Sequence, residues 1–146
     1  MKLREVPLRC TTGAYILHAG WEKWHADEER AQALHAMATT AYPAVKRLPP
    51  TEFTRLLAAG EMATGSALLL PLVPTATAGL VLSAFAGGLL GLYARVPGMR
   101  REGSVWPTPQ GTAVSKDVWM LGIGLGLVLD GAGRRLAASR LRRRAA

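Results

Sequence analysis

Leu70-Pro71-Leu72-Val73-Pro74-Thr75 lies near the middle of residues 62–94, a run of 33 positions without a single Asp, Glu, Lys, Arg or His. A helix in water needs a polar face, so a soluble domain rarely buries so long a neutral run. A bilayer core takes about 20 apolar residues per helix. The run is too long for one span and close to the length of two. Each proline removes a helix donor and clashes with the preceding turn, so Pro71 and Pro74 break the run in two. The stretch reads as a transmembrane helical hairpin with a very short turn. Glu61 stands at its edge.

The rest of the chain is read around that hairpin. Its 146 residues suit one domain, 1–146. The composition is nearly half apolar, yet the formal net charge is +8. Nucleic-acid binding is the obvious rival for a basic chain. The arginines from Arg134 to Arg144, however, directly follow an apolar segment. That position suits a juxtamembrane anchor for anionic lipid headgroups, at roughly 1 kcal/mol per basic residue. Lipid is the expected partner and nucleic acid is not. Cys10 is the only cysteine, which excludes an intrachain disulfide and a cysteine-based metal cluster. Glu5 and Arg9 interrupt the N-terminal region, so no cleavable signal peptide is expected there.

The fold expected is all-α: a polytopic four-transmembrane-helix bundle with an extra surface helix after the first span. The spans fall at about 8–25, 53–72, 75–94 and 116–133, and the basic tail at 134–146. Trp21 and Trp24 look like interfacial anchors at the end of the first span. Asp27-Glu28-Glu29 resembles an acidic cap and first turn. It opens the surface helix, residues 28–41, which stops near Pro43. The orientation expected is multi-pass in the cell membrane with both termini cytoplasmic. Lys and Arg number nine on each side in that arrangement. The cytoplasmic ones are the more clustered, and the hairpin turn then lies on the inner side.

Small residues let membrane helices approach closely. The third span carries Gly79, Ser83, Gly87 and Gly91 at four-residue steps, the fourth Gly122 and Gly126, and the first Gly13 and Gly20. Packing of Gly87-x-x-x-Gly91 against Gly122-x-x-x-Gly126 is the expected contact between spans three and four.

Charged groups within spans are costly and are usually paired or functional. Arg9 opens the first span and Asp130 closes the fourth, which suggests a structural ion pair. At the opposite end, Lys23, Glu61, Lys116 and Asp117 form a candidate polar pocket. Glu61 sits about two turns into its span, roughly 10 Å deep at the helical rise, and Lys23 can snorkel towards it. Either these groups form interhelical ion pairs that fix packing, or they line a pocket for a small ligand or a proton relay. His18, Glu22 and His25 share one face of the first span. Glu22-x-x-His25 is half of a di-iron carboxylate motif whose second copy is missing. Haem ligation by His18 is the other chemistry open to that face. No metal site is expected.

The segment Arg9-Cys10-Thr11-Thr12-Gly13 through Gly20-Trp21-Glu22-Lys23, Glu61 with Gly65, and Lys116-Asp117-Val118-Trp119-Met120-Leu121-Gly122 together resemble the DoxX family of small bacterial membrane proteins. The resemblance covers most of the chain, in order. It departs at the helix after span one and at the extended loop before Lys116. It implies a four-helix protein of the bacterial cell membrane and a link to redox complexes. Arg9, Lys23, Glu61, Lys116 and Asp117 match its positions. The function expected from it is an accessory subunit of a membrane-bound oxidoreductase or redox-defence complex, without a redox centre of its own. Other subunits of that complex would be its partners. The alternative is a binding or carrier protein for a quinone, lipid or thiol compound, with its pocket at Glu61 and Lys23. No intrinsic cofactor is expected, and a quinone is compatible with both readings. Whether the chain is itself an enzyme stays open.

Overall fold

The computed structural model describes the backbone of residues 2–145 and the side chains of residues 2–133. Helices α1 (Val6–Trp24), α2 (Glu28–Ala41), α3 (Pro50–Leu69), α4 (Thr75–Arg95), α5 (Thr112–Ser115, one turn) and α6 (Asp117–Ala145), with short 3-10 helices at Leu3–Glu5 and Pro43–Arg47, account for its regular structure. No strand occurs among the described residues.

Local chemistry sets the helix bounds. Asp27 is the N-cap of α2: its side chain accepts from the Arg30 amide at 2.8 Å, and Glu28 and Glu29 fill the first turn. Tyr42, ahead of Pro43, ends that helix. Pro50 occupies the first position of α3, where its missing N–H has no helical partner to lose. The expected second span ends early, at Leu69, because Leu70 is already extended before Pro71. Residues 70–74 form the turn, closed by the Val73 amide donating to the Leu70 carbonyl at 3.2 Å.

The helices pack as two antiparallel pairs, α1 with α3 and α4 with α6. Glycine at Gly65 lets the first pair close: a Cβ there would stand 2.7 Å from the Gly13 carbonyl oxygen and the Leu17 nitrogen. At Gly79 a Cβ would meet the Gly124 carbonyl oxygen at 2.6 Å. The seam of α4 with α6 therefore runs through Gly79, Ser83, Gly124 and Gly131. This corrects the expected contact, since among the described residues Gly87, Gly122 and Gly126 have no neighbour within 4 Å of a built Cβ. Those three glycines point off the seam. Ile16, Leu68, Ala78, Leu82 and Leu127 join the two pairs in one apolar core.

The expected Arg9–Asp130 pair is likewise replaced. Arg9 has no exposed surface. Its Nε donates to the Leu68 carbonyl at 2.7 Å, Nη1 to Val73 at 3.2 Å, and Nη2 to Ala67 at 3.0 Å and Leu70 at 2.9 Å. A helix end leaves its last carbonyls without partners, and the planar guanidinium fork collects those of α3. Its charge also complements the negative end of the α3 dipole. Asp130 is instead ion-paired to Arg4. On the far side of the turn, buried Glu5 accepts from the Thr75 hydroxyl at 2.7 Å, at the positive end of α4. One helical turn separates Glu5 from Arg9, so the N-terminal segment grips both sides of the proline turn.

Two helices are long and apolar enough to cross a membrane, Thr75–Arg95 and the segment Thr112–Gly133. Only 28% and 11% of their most apolar windows are buried, whereas a soluble core helix hides most of its apolar surface. Leu80, Val81, Val118, Leu125 and Leu129 all face outward. The basic tail from Arg134 to Arg144 continues α6 in backbone, and its side chains lie outside the described residues.

Candidate functional site

Gly20 sets the site's geometry. A Cβ there would touch the Ala58 carbonyl oxygen at 2.8 Å and the Glu61 Cβ at 2.9 Å, so α1 and α3 nearly touch at the level of Glu61. Lys23 lies three residues further along α1. Its Nζ reaches Glu61 Oε1 at 2.9 Å, with side-chain exposures of only 18% and 6%. The other carboxylate oxygen, Glu61 Oε2, is buried and has no hydrogen-bond partner among the described residues.

The pair forms one corner of a cleft of about 590 Å³ bounded by α1, α2, α3, α4 and the start of α6. Tyr15, Ile16, Phe53, Leu57, Phe85 and Leu89 contribute apolar walls, and Asp117 adds a second carboxyl group. The volume is that of a typical small-molecule site, and few polar groups in an apolar lining is the usual pattern of one.

Three of the four residues of the expected polar pocket thus meet. Lys23, Glu61 and Asp117 line the cleft; Lys116 is exposed and does not. The reason is angular. Consecutive residues of a helix point about 100° apart, and at the start of α6 it is Asp117 that faces inward.

The His18, Glu22 and His25 face stays on the surface. His18 Nε2 lies 3.6 Å from Glu22 Oε1, and Arg30 Nη2 lies 3.9 Å from Glu22 Oε2. His25 turns back on its own helix, with Nδ1 2.9 Å from the Trp21 carbonyl and its ring 4.6 Å from that of Trp21. The three side chains do not converge. Among the described residues no group of three or more His, Cys, Asp or Glu is gathered for a metal.

The structure adds residues that spacing did not single out. Tyr42 lines the cleft and donates its hydroxyl to the Gly88 carbonyl at 2.7 Å, with the Arg95 guanidinium 5.0 Å from its ring centre. Gly91, read as a packing position between spans, serves Tyr42: a side chain there would collide with the tyrosine hydroxyl. The only signal in the sequence is an aromatic residue at the end of α2, just before Pro43. Glu5 was legible merely as a charge interrupting the N-terminal region.

No family model matches the chain, and no curated protein or solved structure matches it either.

Proposed function

We propose that the chain is a four-span membrane protein whose cleft binds an apolar small molecule by its polar end at Lys23 and Glu61. The observation that carries this reading is a buried carboxylate, with one oxygen unpartnered, at the corner of an otherwise apolar cleft.

Membrane insertion of α1 and α3 is supported by how their charges are answered. Charged groups inside a membrane are tolerated when they pair with each other or with backbone carbonyls. Arg9 does the second, and Lys23 with Glu61 do the first. Trp21, Trp24, Trp106 and Trp119 are all exposed. They lie at the end of α1, in the loop before α5 and in the first turn of α6, which is one end of the bundle. An exposed tryptophan belt of that kind suits a membrane–water interface. The proposed location is the cell membrane, with both termini cytoplasmic and the tail from Arg134 to Arg144 on anionic headgroups.

The accessory-subunit reading rests on the resemblance to the DoxX family. It joins the cleft reading if the bound molecule is a quinone passed to or from a redox partner.

Purification in mild detergent, followed by mass spectrometry of extracted small molecules, tests the proposal. The wild type should carry an apolar compound near one per chain. Ala84→Phe, which fills the cleft from α4 and leaves Lys23 and Glu61 unchanged in sequence, should lose it. Equal small-molecule content in both proteins would overturn the reading.

A further inference from the structure

The corner of the cleft constrains the head of its ligand, on the premise that the cleft is a binding site. Glu61 is 5% exposed, and only Oε1 is engaged, by Lys23. A buried acceptor left without a donor carries its full desolvation cost, so a ligand head that donates there gains more than one that only accepts. An ammonium has three N–H donors, and Lys23 keeps others beyond the one aimed at Glu61. The corner therefore presents an unused acceptor beside unused donors.

We infer that the cleft takes a long-chain amphiphile with a neutral hydroxyl head, alcohol or phenol. Glu61 lines the cleft, and a turn of its buried carboxyl group brings the free oxygen to the ligand: the O–H donates to that oxygen, and the ligand oxygen accepts from Lys23 Nζ. A cationic ammonium head has no lone pair for Lys23 and lies against its charge, which offsets the attraction of Glu61 and Asp117. An anionic head would meet two carboxyl groups, Glu61 and Asp117, against one ammonium. An ether or ketone head satisfies Lys23 and leaves Glu61 Oε2 as it is. Of these heads, only the hydroxyl serves both partners at once.

The full chain in phosphatidylcholine nanodiscs, whose headgroups lack hydroxyls, would be titrated with dodecylphenol, its methyl ether and dodecylamine. The unfolding midpoint would be followed, with lipid partitioning measured on empty discs. The phenol should bind about tenfold more tightly than the ether, the scale of a hydrogen bond to a charged group. Glu61→Gln should shrink that gap to about threefold or less, because the acceptor becomes neutral. The double variant Lys23→Met with Glu61→Leu, which replaces the pair by apolar groups, should abolish it. Equal binding of phenol and ether to the wild type, tighter binding of the amine, or an unchanged gap in both variants would overturn the hydroxyl head while leaving the cleft a binding site. No binding of any of the three probes would overturn both.

Discussion

At Arg9 a full positive charge sits with no exposed surface, answered entirely by backbone carbonyls. Hydrogen bonds from a charged donor contribute about 1.5–3 kcal/mol each and do not add fully. Arg9→Ala should therefore cost about 2–4 kcal/mol, seen as a lower unfolding midpoint in detergent. Arg9→Lys should recover only part of this, because an ammonium cannot span carbonyls from both α3 and the turn. Arg4→Ala, by contrast, should cost less than about 1 kcal/mol, since Arg4 is largely exposed in its pair with Asp130. Equal losses for Arg9→Ala and Arg4→Ala would refute the assignment of Arg9 as the clamp. The sequence placed Arg9 at the start of the first span and suggested Asp130 as its partner. The partners found, backbone carbonyls, were not legible, because they carry no letter in the sequence. Lys23 and Glu61 do meet, because Gly20 lets α1 and α3 approach closely at that level.

Between elements, the same gap divides what a helix is from what it touches. Prolines 7, 43, 49, 50, 71 and 74 and the Asp27 cap place most helix ends to within a few residues. Chain order suggests that α3 and α4, joined by a short turn, are close partners. Yet the intimate pairs are α1 with α3 and α4 with α6. Several glycines repeat at four-residue steps on α4 and α6, and periodicity alone ranks them equally. Space does not. Gly79→Ala should destabilise the protein by about 1–3 kcal/mol, because its methyl would press on the Gly124 backbone. Gly126→Ala should be neutral or stabilise by up to about 1 kcal/mol, since it only removes a helix-interior glycine from an open face. Thermal unfolding of the two variants side by side measures this. A Gly126 variant as damaged as the Gly79 one would contradict the seam described.

For the molecule as a whole, the proposed four-span topology differs from a two-span one, in which only α4 and α6 cross, by the side on which residue 44 lies. In a Cys10→Ser background, Ala44→Cys and Ser104→Cys should both react with an impermeant thiol reagent added outside intact cells. Leu72→Cys, in the exposed proline turn, should react only after permeabilisation. Reaction of residue 44 on the same side as residue 72 would reduce the membrane part to α4 and α6. What the sequence determined by itself is the helical character, the break at Pro71 and Pro74, and the long neutral run without a water-facing stripe. These are local properties, set by backbone chemistry and by the period of the side chains. Tertiary structure alone decided that Arg9 clamps the α3 terminus, that Asp117 rather than Lys116 faces the cleft, and that Tyr42 closes one wall over Gly88. Each of those depends on how helices distant in sequence are rotated and how closely their backbones approach, which no local pattern encodes.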